Sequence, residues 1–341
     1  MIHVSSAPVE SVSWQNLLAR SITEPAELLR RLGLDENLLG PAIAAARSFP
    51  LRVPEPYLQR MRHADPSDPL LRQVLPLGEE LIEQPGYVMD PLGEQHTNAR
   101  PGIIHKYHGR LLLVVSGGCA VNCRYCFRRH FPYEDNALST AQWDEALDYI
   151  RNDTSLSEVI YSGGDPLAAN DRRLAWLTRE IANIAHIRRL RVHTRLPVVI
   201  PQRVTTELLD ALCATRLPVT MVLHCNHAHE LDDDMAAALR RLRQAGVTLL
   251  NQAVLLRGVN DSLAQQIDLS ESLGDHGVLP YYLHVLDRVH GAQHFYVDDE
   301  QATALVGRMM TRLPGFLVPR LVRETAGAPG KVPLPVSLRP D

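Results

Sequence analysis

Residues 111–126 read LLLVVSGGCAVNCRYC, and this stretch holds the strongest signals for both the fold and the chemistry of the chain. Five apolar residues, two of them valine, are typical of a buried strand. Gly117 and Gly118 then mark the end of that strand. Cys119, Cys123 and Cys126 follow within eight residues. The stretch therefore predicts a buried strand whose carboxyl end carries a metal-binding loop.

From about residue 110 onward, short apolar runs alternate with amphipathic stretches. The runs predict six strands, at residues 110–116, 158–162, 189–194, 219–224, 247–255 and 279–285. Strands that alternate with helices predict a parallel sheet with right-handed crossovers. Because six units are fewer than the eight of a full TIM barrel, we expect an α/β fold with a partial, open (β/α)6 TIM-like barrel. Functional residues should gather at the carboxyl ends of its strands.

The amphipathic stretches predict five helices, at residues 139–151, 172–184, 205–214, 232–245 and 261–273. Ser139 and Gln142 have the spacing of a capping box, which predicts the start of the first helix. Gly274 follows the last helix, and glycine is a common helix stop.

Composition divides the chain into three parts. Residues 1–100 are rich in proline and carry helical fragments at 14–20 and 24–32, so we expect a helical N-terminal cap with a wrapping linker. Residues 101–295 hold the predicted barrel. Residues 296–341 should form a C-terminal helix and an irregular segment rich in glycine and proline.

The charge balance argues against several classes of partner. The chain has 35 basic and 39 acidic residues, a net charge of −4, which gives no general attraction to nucleic acid or to a membrane surface. No apolar run is long enough for a membrane span, and the first residues lack a secretory signal. We therefore expect a cytoplasmic protein, and a homo-oligomer is possible, although the sequence does not determine the oligomeric state.

Three closely spaced cysteines suit an iron–sulfur cluster, because thiolates are the usual ligands of such clusters. Three protein ligands leave one iron open for chemistry, whereas structural sites are closed by four. The alternative is a zinc site in a non-catalytic binding module, with His130, Cys213 or Cys225 as the fourth ligand. Zinc ligands usually come as two separated pairs, and the chain has no second C-x2-C pair.

The pattern C-x3-C-x2-C, with Tyr125 before the third cysteine, resembles the signature of radical S-adenosylmethionine (SAM) enzymes. The resemblance implies a [4Fe-4S] cluster on the three cysteines, SAM at the open iron and an external electron donor. The segment Ser162-Gly163-Gly164-Asp165 matches the part of the family that meets SAM. Asp165 and the proline after it could also start a helix, with Asp165 as its cap.

Longer segments resemble the lysine 2,3-aminomutase family, among them residues 105–110, 126–130, 195–203, 251–261 and 280–282. The resemblance implies that Lys331, in a glycine-containing loop, holds pyridoxal phosphate (PLP) covalently. It also implies that Tyr107 and Arg110 contact the PLP phosphate, with Lys106 as a weaker candidate. His224 and Gln252 fall on positions that approach SAM in the family.

The same resemblance implies how a substrate would bind. Arg128 falls where the family holds the α-carboxylate of lysine, with a structural ion pair as the alternative. Asp287 and Glu324 fall where it holds the ε-ammonium, and position 324 is normally aspartate. Two carboxylates suit a buried cation, so these residues favour lysine over glutamate as the substrate. A radical SAM aminomutase for another amino acid remains the alternative.

The chain is most similar to the short members of the family, on segments such as residues 127–133 and 287–294. We therefore expect it to lack the C-terminal zinc-binding extension of the long members. This resemblance implies an isomerase that converts (S)-α-lysine to (R)-β-lysine. It further implies a link to elongation factor P, to which a separate ligase attaches β-lysine.

Overall fold

The computed structural model describes residues 12–94, 98–133, 136 and 138–336. The predicted N-terminal cap and C-terminal segment therefore lie in part outside the described residues. A sheet of ten strands in sequence order forms the centre. The strands are β1 Asn98–Arg100, β2 Ile103–Tyr107, β3 Arg110–Ser116, β4 Glu158–Gly163, β5 Arg189–Thr194, β6 Val219–Leu223, β7 Thr248–Val254, β8 Leu279–His284, β9 Arg320–Arg323 and β10 Val332–Pro333.

Seven neighbouring strands, β3 to β9, are parallel and form the barrel wall. Strands β1 and β2 extend this wall on one side in antiparallel fashion, and β10 extends it on the other side. The two outermost strands, β1 and β10, do not pair with each other. The predicted α/β fold with a partial, open barrel is therefore confirmed.

The count of parallel strands differs from the prediction by one. The six predicted strands correspond to β3–β8, and β9 adds a seventh that pairs with residues 282–284 of β8. Its four residues read Arg-Leu-Val-Arg, which is too short a pattern to signal a strand. It forms because the open edge of β8 supplies the hydrogen-bonding partners that an isolated segment lacks.

The described residues contain twelve α-helices, and all five predicted between the strands are among them. They are α1 Trp14–Ala19, α2 Pro25–Leu32, α3 Leu39–Ser48, α4 Glu55–Leu58, α5 Pro69–Arg72, α6 Thr140–Asn152, α7 Asp171–Ala182, α8 Leu196–Val199, α9 Thr206–Cys213, α10 Asp233–Gln244, α11 Leu263–Asp275 and α12 Asp299–Met310. The capping box of Ser139 and Gln142 is confirmed at the start of α6.

The predicted stop at Gly274 is wrong. Helix α11 continues through Gly274 to Asp275, and Gly277 adopts the left-handed backbone conformation after it, with φ +71°. A Cβ atom at position 274 would lie 2.9 Å from Leu317 Cδ2. Gly274 therefore permits close packing against the chain after α12, a contact with no local sequence signal.

The N-terminal helices pack directly on the barrel. Trp14, Leu28, Tyr57 and Leu70 belong to the same buried apolar cluster as strand residues such as Val159. Burial of such side chains is the main stabilising contribution to a fold of this kind. No helix in the described part of the chain is long and apolar enough to cross a membrane.

Candidate active site

A cavity of about 810 Å³ lies inside the barrel and is lined from the amino ends of the strands, at Arg110 and Glu158, to residues that follow their carboxyl ends, such as His224. Every residue that the family resemblance assigned to the cluster, the cofactors or the substrate lines this cavity. These residues are Lys106, Tyr107, Arg110, Cys119, Cys123, Cys126, Arg128, Ser162, Gly163, Gly164, Asp165, His224, Gln252, Asp287, Glu324 and Lys331. The fold thus brings together residues from opposite ends of the sequence, while their individual roles stay predictions.

The three cysteines lie on the loop that follows β3. The N-terminal segment holds this loop from outside, since Arg52 Nη1 donates to the Cys119 carbonyl at 3.1 Å. Burial, followed by the neighbouring Cys123, raises the pKa of the Cys126 thiol to about 12. Because cluster ligands are thiolates, assembly of a cluster here must release protons.

A buried ion-pair cluster anchors the same loop. The Glu80 carboxylate, only 2% exposed, accepts hydrogen bonds from Arg124 Nε at 2.8 Å and from Arg124 Nη2 at 2.6 Å. Arg129 Nη2 donates to it at 2.7 Å. Loss of one partner from such a buried cluster leaves an uncompensated charge, so the three side chains stabilise one conformation of the loop.

The described residues do not form a ready site for a single zinc ion. Zinc–sulfur bonds of about 2.3 Å require sulfurs that lie about 4 Å apart. No three His, Cys, Asp or Glu side chains among the described residues are placed to hold one metal ion. The proposed fourth ligands His130, Cys213 and Cys225 do not line the cavity. This geometry weighs against the zinc-stabilised binding module.

The glycines after β4 are required by packing between two loops. Gly163 has φ +120°, and a Cβ atom there would lie 2.4 Å from the Ser116 carbonyl oxygen. A Cβ atom at Gly164 would lie 2.6 Å from the Gly118 carbonyl oxygen. Any larger residue would therefore push the segment after β4 away from the cysteine loop.

Asp165 is held by the protein on both carboxylate oxygens. Oδ1 accepts from Leu167 N at 3.0 Å and from Thr194 Oγ1 at 2.7 Å, and Oδ2 accepts from Arg195 N at 2.7 Å and Leu196 N at 2.8 Å. The helix cap weighed from sequence is therefore present, on a short 3₁₀ turn. Asp165 joins the loops after β4 and β5, and its contact with SAM stays a prediction.

A chain of alternating charges crosses the cavity. Arg128 Nε and Nη2 contact Glu94 at 2.6 and 2.9 Å. Lys106 Nζ lies 3.0 Å from Glu94 and 3.5 Å from Glu324. Lys331 Nζ lies 2.7 Å from Glu324 Oε2. The structural ion pair weighed for Arg128 is thus present, and Glu94 is a site residue that the sequence analysis missed because its proline-rich surroundings give no signal.

The two acids predicted to bind an ammonium differ in protonation. Burial, and next the charge of Glu324, raises the pKa of Asp287 to about 7. Burial pushes the pKa of Glu324 upward as well, but Lys331 and Lys106 outweigh it and lower the pKa to about 2. Without a ligand, one acid is therefore ionised at neutral pH and the other titrates there.

Tyr107 and Arg110 lie side by side at the same end of the cavity. The Arg110 guanidinium stacks over the Tyr107 ring, 4.7 Å from its centroid. The Tyr107 hydroxyl donates to Glu324 at 3.0 Å, and burial raises the pKa of Tyr107. Arg110 forms no ion pair with any residue that the structure describes. An unpaired guanidinium at a cavity wall fits a phosphate dianion.

Three histidines face the barrel interior in neutral form. His224 and Gln252 contact each other at 2.9 Å through their Nε2 atoms, and burial lowers the pKa of His224 to about 3. Burial also lowers the pKa of His193 and of His284. His284 is 7% exposed, and its Nε2 has no partner among the described residues. The alternation of Tyr282 and His284 along β8 was the signal that could have identified it.

Comparisons with known proteins show which family the chain belongs to. A family model described as the radical SAM superfamily matches residues 113–268. The L-lysine 2,3-aminomutase of Escherichia coli K12 is 50% identical over 327 residues, which cover 96% of this chain and 95% of that protein. The Haemophilus influenzae protein of that name is 48% identical, covering 94% and 95%. The Clostridium subterminale protein is 32% identical, covering 97% and 79%.

Residues 113–268, which include the C-x3-C-x2-C loop after the first parallel strand, are therefore a radical SAM domain. The full-length similarity narrows this assignment. The chain belongs to the L-lysine 2,3-aminomutase family, and the expectation of an isomerase is confirmed.

The cysteine assignment predicts which substitutions remove iron. Alanine at position 119, 123 or 126 should abolish the brown colour and reduce iron to background in anaerobically purified protein, because each removes one of three ligands. Cys213→Ala and Cys225→Ala are matched controls and should keep parental iron content. Iron loss in a control but not in Cys123→Ala would contradict the assignment.

The raised pKa of Asp287 predicts a pH-dependent stability. Between the ordinary pKa of 3.8 and the raised value of about 7, the folded state holds one proton more than the unfolded state. The free energy of unfolding therefore falls as the pH rises through this window. Asp287→Asn removes the titrating group, so the free energy of unfolding of the variant should not fall in this way. From about pH 5 to about pH 8, the difference in unfolding free energy between variant and parent should therefore shift by about 2 kcal/mol in favour of the variant.

Urea unfolding of the cofactor-free parent and variant, at the lower and at the higher pH, measures this difference. Glu324→Gln is a second test of the same effect, because the charge of Glu324 helps to raise the pKa of Asp287. This variant should lose less stability than the parent between the lower and the higher pH. A pH-independent effect of Asp287→Asn would refute the raised pKa.

Proposed function

We propose that the protein is a PLP-dependent lysine 2,3-aminomutase that converts (S)-α-lysine to (R)-β-lysine. One observation carries this proposal most directly: a glutamate inside the cavity already holds a lysine ammonium, with Glu324 Oε2 2.7 Å from Lys331 Nζ. The same cavity contains the three cysteines and an arginine suited to a carboxylate. The proposed cofactors are a [4Fe-4S] cluster, SAM and PLP, with an electron donor from outside.

Glu324 would exchange one ammonium for another as the cofactor and substrate bind. Covalent attachment of PLP consumes the ammonium of Lys331, so Glu324 would lose its nearest cation. Lys106 at 3.5 Å and the Tyr107 hydroxyl would remain, but the loss of the nearest cation is costly for a buried carboxylate. The ε-ammonium of substrate lysine restores the pairing, and its charge also favours the ionised form of Asp287.

Arg128 would orient the other end of the substrate. Its Nε and Nη2 are held by Glu94, while Nη1 lies 3.3 Å from Ser162 Oγ and 3.5 Å from the Gly163 carbonyl. These contacts fix the guanidinium plane at the edge of the cysteine loop. An α-carboxylate bound there would place the reacting carbons of lysine near the proposed SAM position.

When bound, the cofactors would supply the chemistry, namely hydrogen-atom abstraction from the substrate through SAM and the cluster, and a carrier for the migrating amino group through PLP. The chain positions them. Tyr107 and Arg110 would hold the PLP phosphate, and Ser162, Gly163, Gly164, Asp165, His224 and Gln252 would surround SAM. The buried histidines stay neutral, so they add no charge beside the reacting atoms.

We further propose that the product serves the β-lysylation of elongation factor P in the cytoplasm, through a separate ligase. The chain covers 95% of the similar protein from Escherichia coli but 79% of that from Clostridium subterminale, so it matches the short members over their length. Loss of β-lysine from elongation factor P on deletion of the gene, seen by mass spectrometry, would support this link. An unchanged modification would exclude it.

The PLP assignment predicts the behaviour of the two lysines in the chain, Lys106 and Lys331. Lys331→Ala should abolish covalently bound PLP, detected by absorbance and borohydride trapping, and leave iron content near the parental value. Lys106→Ala is the matched control, because it removes a neighbouring ammonium but should keep covalent PLP. Covalent PLP that survives in Lys331→Ala would refute the assignment.

The acidic pair predicts a preference for lysine over norleucine, which lacks only the ε-ammonium. Removal of one partner from a buried charge pair costs about 3–5 kcal/mol, which corresponds to roughly two to three decades in kcat/KM. Asp287→Asn and Glu324→Gln should lower kcat/KM for lysine by this factor and leave that for norleucine nearly unchanged. Amino-acid analysis of anaerobic reactions measures both rates.

Iron and PLP content of the two variants serve as controls and should equal those of the parent. Equal turnover of lysine and norleucine by the parent would contradict the ammonium-binding role of both acids.

A further inference from the structure

We infer that Arg195, held in place by Glu230, sets the reduction potential of the cluster through a hydrogen bond to the sulfur of Cys123. Arg195 follows β5, and its Nη1 donates to Cys123 Sγ at 3.0 Å. This role rests on the proposed assignment of Cys119, Cys123 and Cys126 as cluster ligands. Arg195 and Glu230 act here as positioning residues, and neither was predicted from the sequence as a site residue.

The guanidinium of Arg195 has little freedom to move. The residue is 5% exposed, and its Nη2 donates to Glu230 Oε1 at 3.0 Å and to Gln73 Oε1 at 2.8 Å. Tyr57 accepts a further hydrogen bond from Nη2 at 3.0 Å. The backbone amide of Arg195 donates to Asp165 at 2.7 Å. These contacts direct Nη1 at the Cys123 sulfur and at the Tyr125 hydroxyl, which it also contacts, rather than at solvent.

Glu230 is fixed as firmly as its partner. The residue is fully buried, and its Oε1 accepts from Tyr57 Oη at 3.0 Å and from Gln73 Nε2 at 2.8 Å. Oε2 accepts from the Asn226 backbone amide at 3.0 Å. Because so many polar groups in this network have hydrogen-bond partners, the network holds one geometry. Double variants are needed to divide its energy among its members.

The positions of Arg195 and Glu230 relative to the cluster determine the direction in which each affects the reduction potential. Reduction adds an electron to the cluster, and the cationic donor at the Cys123 sulfur stabilises that extra negative charge. Hydrogen bonds to cluster sulfurs and nearby charge are known determinants of cluster potential. Glu230 lies one step further from the sulfur with the opposite charge, so it offsets part of the effect. Neutralising Arg195 and neutralising Glu230 should therefore shift the potential in opposite directions.

The test is a redox titration of the reconstituted protein without SAM, followed by electron paramagnetic resonance of the reduced cluster. Arg195→Gln should make reduction at least tenfold less favourable, a shift of about 59 mV to more negative potential for one electron. Glu230→Gln should shift the potential to a more positive value. Arg195→Lys, which keeps the charge, should restore part of the loss.

Arg203→Gln is the matched control for general destabilisation. Arg203 is another fully buried arginine on the chain after β5, and it pairs with Asp171 at 2.6 Å and with backbone carbonyls instead of a cysteine. The cluster of the Arg203→Gln variant should have the same reduction potential as that of the parent. A purely structural role for Arg195 would lower cluster occupancy in Arg195→Gln and Arg203→Gln alike without moving the potential.

The possible results distinguish a failure of the proposed function from a failure of the inference about Arg195 and Glu230. A parent protein without an iron–sulfur signal would overturn the proposed function itself. A parent with a normal signal, and potentials unchanged in Arg195→Gln and Glu230→Gln, would overturn only the inference drawn here. Shifts of the same sign in both variants would also overturn it. If Arg195→Gln does not fold, the sign of the shift in Glu230→Gln decides.

Discussion

The parallel pairing of neighbouring strands is the constraint on which the site depends. Because β3 to β9 run in the same direction, their carboxyl ends open onto one cavity. The cysteine loop follows β3, the glycine pair ends β4, and Lys331 comes after β9. Parallel strands need long crossovers, which separate these elements in sequence while the sheet brings them together. An antiparallel arrangement would send half of them to the opposite edge.

Buried carboxylates and their hydrogen-bonding partners then fix the geometry within that frame. Glu80 holds the cysteine loop through two arginines, Asp165 joins two strand-end loops, and Glu230 holds Arg195 against Cys123. Each of these carboxylates is buried, so removal of its partner would leave a costly uncompensated charge. Several of the contacts come from the N-terminal segment, through Glu80 and Glu94. The helical cap is therefore part of the site by its contacts, although it precedes the barrel in sequence.

The sequence predicted the elements that depend on local patterns. Apolar runs located β3–β8, and the capping box located the start of α6, because both signals lie within a few residues. Strand β9 was missed because four residues form a strand only against the edge of β8. Gly274 was misread as a stop because its role is contact with Leu317, forty-three residues further on. Glu94 was missed because nothing near it indicates a partner on the cysteine loop.

By itself, the sequence determined the alternation of strands and helices, the spacing of the three cysteines and the resemblance to radical SAM aminomutases. The tertiary structure alone decided which charges meet: Glu94 with Arg128, Glu324 with Lys331, and Arg195 with Cys123. It also decided that Asp287 and Glu324, two acids with similar ordinary pKa values, have pKa values of about 7 and about 2. The physical reason is that spacing along the chain reports local conformation, whereas burial and charge pairing depend on distances between residues that only the folded chain brings together.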